Sequence, residues 1–163
     1  MPTIRIAKQK DINKIMKLNQ DLIDYHNDML KKFKPEHVKD FKENPNSKKV
    51  IKRFYKKLIR SRKGHVIIAE EKSQIIGYLI ATVEKNIPIF TLKKYVEITD
   101  LFVKKEFHGR KIGYNLVKNC LEWAKNNNYE KIVLKVFPDN TETIEFYKKI
   151  GFSNFFIEMR KNV

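Results

Sequence analysis

Residues 101–117 read LFVKKEFHGRKIGYNLV, and the reading of the fold turns on them. An apolar run with strand character, Leu101 to Val103, gives way to a basic loop holding Gly109 and Gly113. Helical spacing then takes over, with Ile112, Leu116, Val117, Cys120, Leu121 and Ala124 on one face. The first N–H groups of such a helix lack intrahelical acceptors and lie at the positive end of its dipole, so they suit an anion. The chain has only five glycines, and two of them fall in residues 109–113, where backbone would have to approach a ligand closely. His108, Arg110 and Lys111 add donors and positive charge. No GxGxxG or GxxxxGKS/T pattern is present, so the usual dinucleotide and P-loop cradles are excluded.

Working outward, Thr3 to Ala7 alternates like a short strand. Ile12, Ile15, Met16, Leu18, Leu22, Ile23 and Tyr25 then repeat at helical spacing through Leu30. Pro35 interrupts, KENPNSKK (42–49) reads as a loop, and Val50, Ile51, Phe54, Tyr55, Leu58 and Ile59 mark a second helix. HVIIAEE (65–71) and IIGYLIATVEK (75–85) form a hairpin about KSQ, and YVEITDLFV (95–103) is a third strand. After the helix from Ile112, KIVLKVF (131–137) is apolar enough for a strand covered on both faces. DNTETIEFYKKIG is a capped helix stopped by Gly151, and FSNFFIEMR is expected to close the chain as a last strand. The order β-α-α-β-β-β-α-β-α-β predicts an α/β (α+β) fold, a mixed and mostly antiparallel twisted sheet with helices on both faces.

Length, charge and cysteine usage narrow the class. At 163 residues, with 42% hydrophobic content, the chain is expected to be a single domain over 1–163 with its own core. No apolar stretch approaches the roughly 18 to 20 residues of a membrane span, and MPTIRIAKQ has no signal-peptide character. An intracellular, cytoplasmic protein without a membrane partner is the expectation. The one cysteine, Cys120, excludes an internal disulfide and a thiolate zinc site, and the four histidines have no ligand spacing, so no metal is expected. The formal net charge is +16, and residues 31–63 alone carry 14 Lys/Arg against 3 Asp/Glu, a net of +11. Such a surface attracts polyanions, although a lysine-rich solvated face gives the same count.

A second segment supplies context for the loop. NTETIEFYKKIGF (140–152), taken with HGRKIG (108–113), resembles the GNAT superfamily of N-acetyltransferases. In that family a Q/R-x-x-G-x-G/A loop cradles the pyrophosphate of acetyl-coenzyme A, and a later helix reads N-x-x-A-x-x-F-Y-x-x-x-G-F. The resemblance is strongest over about 64–157. Asn140, Phe146, Tyr147, Gly151 and Phe152 match the second motif and Gly113 the first, whereas His108 stands at the Gln/Arg position, Lys111 at the first motif glycine and Thr143 at the alanine. Lys111 therefore has to adopt a backbone conformation that glycine reaches more readily.

The resemblance implies acetyl-CoA as cosubstrate. Its site residues here would be His108, Gly109, Arg110, Lys111, Ile112, Gly113 and Tyr114 around the pyrophosphate, with Leu101, Phe102 and Val103 offering backbone to the pantetheine arm. Asn140, Thr143 and Tyr147 share one helix face at i, i+3 and i+7, with Asn140 or Asp139 also needed as the cap. Tyr147 is the candidate acid for the leaving thiolate. Acetyl transfer to an amine also needs a base, because an alkyl amine with pKa near 10 is mostly protonated at pH 7. Glu97, eleven residues before His108, fits a glutamate that serves several family members in this way. Asp100 competes, on the opposite face by simple alternation unless a bulge intervenes. Backbone N–H groups near Leu101 to Val103 would hold an oxyanion.

The acceptor is left open between a small amine or amino sugar and a protein amine. Tyr25, His26, the basic 31–63 region and IPIF (87–90) are its expected walls, and IPIF would also suit a homodimer contact. The alternative is a basic domain that binds nucleic acid or an acidic partner with an idle cofactor site. The absence of any nucleic-acid motif weighs against it.

Overall fold

A computed structural model describes residues 2–161. The elements are β1 (Thr3–Ile6), α1 (Ile12–Phe33), α2 (Ser47–Ile59), β2 (Gly64–Glu71), β3 (Gln74–Lys85), β4 (Lys94–Val103), α3 (Ile112–Asn126), β5 (Ile132–Leu134) and α4 (Thr141–Ile150). The stretch that Pro35 opens is an extra 3-10 segment, Pro35–Phe41, rather than a simple break. The five strands pair in sequence order, antiparallel from β1 to β4 and parallel between β4 and β5.

Side-chain alternation splits the core into two layers, one on each face of the sheet. Val66, Ile68, Ile75, Tyr78 and Ile80 meet Ile15, Leu18 and Leu22 of α1 and Tyr55 and Leu58 of α2. On the other face Ile67, Ala69, Ile76, Leu79, Val96 and Ile98 meet Ile112, Leu116, Val117 and Cys120 of α3 and Tyr147 of α4. The β2–β3 turn is built from Lys72 and Ser73, both at positive φ (49° and 63°), which gives the hairpin its tight reversal without glycine.

Two irregularities shape the functional region. Register shifts between Ile80 and Ala81, which pair with Asp100 and Ile98, so Thr99 is an extra residue in β4. The β4–β5 ladder covers only Val96↔Ile132, Glu97↔Val133 and Ile98↔Leu134. Beyond that pair β4 runs on to Val103 with one edge hydrogen-bonded to β3 and the other open.

The C-terminal part departs from expectation. KIVLKVF forms a strand of only three residues, and Val133 at its centre is exposed, so it is an edge strand rather than one covered on both faces. FSNFFIEMR forms no strand; Phe155, Phe156, Ile157 and Met159 stand exposed. A strand needs a partner ladder. The segment leaves the sheet instead, and Arg160 reaches Asp40 (3.5 Å) and lies over the Phe41 ring.

Candidate functional site

The loop of residues 104–111 is tied to the sheet by its own side chains. His108 Nε2–H donates to the Val103 carbonyl at 2.8 Å, and Arg110 makes a bidentate contact with Glu71 at 2.6 and 3.1 Å while lying over the Phe107 ring. Two residues expected to face an anion with their side chains thus act as straps. Gly109 (φ 76°) and Lys111 (φ 59°, ψ 15°) both adopt the left-handed region, so Lys111 takes the glycine conformation at its motif position. A side chain there costs roughly 1 to 2 kcal/mol.

Lys111 is also the N-cap of α3, and no side chain caps that end. The first N–H groups of α3 are therefore left for another acceptor. A Cβ placed on Gly109 would meet nothing within 4 Å, so its backbone faces open space. Ile112 is buried, which leaves it only its N–H to offer, while Tyr114 is exposed. This cradle fits a pyrophosphate through backbone donors plus the free Lys111 side chain. Leu101 and Val103 turn their side chains to the α3 face and Phe102 to the α1–α2 face, so their common contribution is the open backbone edge.

On α4, Asn140 is the cap: its Oδ1 accepts from the Thr143 N–H at 3.2 Å. Tyr147 is buried between Phe146 and Phe152, whose rings meet it edge-on at 5.0 and 5.5 Å. Burial pushes the Tyr147 phenol above its ordinary range, with Cys120 nearby adding to the effect. Cys120 itself is fully buried and its thiol is pushed up to about 12, which removes it as a nucleophile.

The carboxylates lie across the sheet. Glu97 pairs with Thr82 and Asp100 with Ile80; the extra residue Thr99 puts both acids on the α1–α2 face. The opposite-face arrangement expected from alternation is thereby corrected: the bulge intervenes. Glu97 keeps 21% side-chain exposure and has Lys135 at 3.6 Å. Asp100 accepts a 2.6 Å hydrogen bond from the Tyr55 hydroxyl, and burial raises its carboxyl above the usual range against that bond. Asn19 Nδ2 donates to the Tyr78 hydroxyl at 3.3 Å, and Tyr55 and Tyr78 belong to the same buried layer. The Tyr55–Asp100 bond was not readable from sequence, where Tyr55 is one of several core-facing residues on its helix.

Of the expected acceptor walls, His26 packs half-buried between Tyr25 (5.9 Å) and Phe137 (5.6 Å), and Phe41 covers the same Phe137 edge-on. Ile87, Ile89 and Phe90 are exposed. The basic Lys and Arg side chains of α2 have no ion-pair partner among the described residues.

Comparison with known proteins fits this geometry. The sequence profile described as Acetyltransferase (GNAT) family matches residues 26–152. An uncharacterised N-acetyltransferase of Methanocaldococcus jannaschii is 29% identical over 64% of this chain, and the match spans 46% of that relative's length. The glucosamine 6-phosphate N-acetyltransferase of Candida albicans is 34% identical over 51% of this chain and 56% of its own. The crystal structure of a predicted acetyltransferase with acetyl-CoA from Clostridium acetobutylicum superposes with a TM-score of 0.76 over 99% of this chain and 96% of that one, at 23% identity, a likeness of fold. With the profile spanning most of its length and both motif segments in place, the chain belongs to the GNAT family of acetyltransferases.

Proposed function

We propose that this protein transfers the acetyl group of acetyl-CoA to a primary amine by direct attack with both substrates bound. The observation that carries this reading is the parting of β4 from β5 after Ile98 and Leu134. The open edge at Leu101 to Val103 lies between the α3 N-terminus and Tyr147 on one face and Glu97 and Asp100 on the other. Acetyl-CoA supplies an activated acetyl thioester. The chain's own residues do the rest. Backbone N–H groups from Gly109 to Tyr114, with Lys111, hold the pyrophosphate; the β4 edge aligns the pantetheine arm and offers N–H groups to the carbonyl oxygen. Asn140 and Thr143 line the path to Tyr147. Glu97, part-exposed, takes the proton of the ammonium and passes it to solvent. Tyr147, its proton held tightly by burial, serves the leaving sulfur chiefly as a hydrogen-bond donor. An acetyl-enzyme has no candidate nucleophile here, since the only thiol is buried.

The test is the melting temperature with and without acetyl-CoA, followed by CoA release with a panel of amines: glucosamine 6-phosphate, after the Candida relative, an aminoglycoside, spermidine and a peptide with a free α-amine. Ligand at about 100 times Kd adds roughly 2.7 kcal/mol, a rise of roughly 5 to 11 °C for this size. No rise, or the same rise with ATP, overturns the reading. The unpaired cations of α2 favour one other reading, a polyanion-binding domain; salt-sensitive binding of random duplex DNA at physiological ionic strength would support it.

A further inference from the structure

The cations of α2 are segregated in a way that a lysine-rich composition does not explain. The other helices mix their signs: α1 sets Asp21, Asp24 and Asp28 among its lysines, α3 has Glu122 between Lys118 and Lys125, and α4 pairs Glu145 with Lys148. Residues 47–63, which hold α2 and the turn after it, carry nine Lys and Arg and no Asp or Glu. All nine are exposed, and none has an ion-pair partner among the described residues. On the helix they form two rows of i,i+4 neighbours, Lys48–Lys52–Lys56–Arg60 and Lys49–Arg53–Lys57. Like charges at that spacing work against a helix, and Lys48 and Lys49 stand at the positive end of its dipole with no acid in the first turn. A face meant only for water would alternate in sign, as α1 does. Beside the rows Val50 and Phe54, also four residues apart, are exposed. The inner side of the same helix meets the sheet. Tyr55 and Leu58 are core residues, and Tyr55 donates to Asp100, the residue before the open edge at Leu101 to Val103. A helix is about 10 Å across with its side chains, so the cationic face and the sheet are one helix apart.

We propose that the outer face of α2 docks an acidic polypeptide segment bearing apolar side chains, and that the acceptor amine belongs to that polypeptide. The docking follows from α2 itself; the statement about the acceptor rests on the acetyl-transfer reading and adds a substrate class to it. Three requirements select the partner. The two rows of cations call for an anion, Val50 and Phe54 call for apolar side chains beside the charges, and the reaction calls for an alkyl amine. A segment rich in Asp and Glu with a few apolar residues meets all three, and its charge would also steer it to this face. A nucleic acid matches the charge, but its amines are conjugated with the base rings, which draws off the lone pair, and its backbone has no apolar side chain. In the transfer the polypeptide's ammonium loses one proton to solvent and its nitrogen bonds to the acetyl carbon. The carbon–sulfur bond breaks with its electron pair on sulfur, and the nitrogen's second proton ends on the CoA thiol.

The test uses the full chain and fluorescence anisotropy at physiological ionic strength. The probes are a peptide of Glu and Leu about the length of α2, labelled at its C-terminus with its α-amine free, a Gln and Leu peptide of the same length, and oligo-dT. The Glu–Leu peptide is expected to bind saturably and the Gln–Leu peptide not to bind. The triple variant Lys49→Glu, Arg53→Glu, Lys57→Glu should weaken binding by about tenfold or more, and its Gln counterpart, which only removes the charge, stands in should the first not fold. Lys118→Glu, Lys125→Glu, Lys149→Glu makes the same charge change on α3 and α4, across the sheet, and should weaken binding by about twofold at most. Phe54→Ala should cost about threefold. Equal losses in the two triple variants, tighter binding of oligo-dT than of the Glu–Leu peptide, or an unchanged affinity in Phe54→Ala overturns the docking. With acetyl-CoA, mass spectrometry is expected to show the Glu–Leu α-amine acetylated faster than the Gln–Leu α-amine, a preference lost in the α2 variant; equal rates overturn the acceptor assignment. Failure of the acetyl-transfer reading looks different: neither peptide is acetylated and acetyl-CoA leaves the melting temperature where it was, while the anisotropy reads as before.

Discussion

Tyr147 and Tyr55 lie on opposite faces of the sheet and are held differently. Tyr147, on the α3–α4 face, is enclosed by Phe146 and Phe152 in a segment that also supplies its own helix cap, Asn140. Tyr55, on the α1–α2 face, is fixed by Asp100, 45 residues away in sequence and on another element. The first arrangement is local: residues 101–117 and 140–152 carry nearly the whole of the proposed cofactor side. The second is assembled from α1, α2, β3 and β4, and no short segment contains it. On the proposed function, a cofactor shared by many enzymes would be met by compact motifs and the acceptor by tertiary packing.

That contrast can be pressed hardest at the tyrosines. Tyr147→Phe is expected to lower turnover by about 10²-fold while the acetyl-CoA-induced rise in melting temperature stays; an unchanged turnover with the best amine of the panel would take Tyr147 out of the chemistry. Tyr55→Phe leaves Asp100 without its one donor and should cost about 2 kcal/mol of stability at pH 7, or roughly 4 to 8 °C, measured by calorimetry. A variant that melts with the parent would show the 2.6 Å bond to be energetically idle.

Asp100→Asn should do the reverse of Tyr55→Phe. The folded carboxyl has its pKa raised by burial, so ionising it opposes folding. The associated stability is fully present below the unfolded pKa of about 3.9 and is lost as pH rises through the higher folded value. At pH 7 the Asn variant is therefore expected to melt above the parent, with the gap closing toward pH 4. A variant less stable at every pH would make Asp100 a structural residue. The smallest effect belongs to the cofactor side: Lys111→Gly relieves a left-handed lysine and should add about 1 kcal/mol, seen as a rise of roughly 2 to 4 °C without loss of acetyl-CoA binding. No rise would mean that the Lys111 side chain contributes stability in the folded state that offsets its backbone cost.

Much of the architecture was legible because burial imposes periodicity. The 3.6-residue spacing of Ile12, Ile15, Leu18 and Leu22 and the apolar runs at 65–71 and 75–85 identify α1 and the β2–β3 hairpin without ambiguity. The exceptions are places where a non-local partner decides. FSNFFIEMR has strand composition and no ladder to join, and KIVLKVF shortens to Ile132–Leu134, where its ladder with β4 ends. His108 and Arg110 looked like anion ligands by position, yet their partners, the Val103 carbonyl and Glu71, are set by how the loop folds back on the sheet.

By itself the sequence determined the order of elements through α4, the strand–loop–helix turn at Gly109 to Gly113 and the helix face of Asn140, Thr143 and Tyr147, because each depends on neighbours within a few residues. Only the tertiary structure decided that Thr99 bulges, that Glu97 and Asp100 share a face, and that Tyr55 holds Asp100. Register in a sheet is a property of two strands at once, and a one-residue slip moves a side chain to the other face.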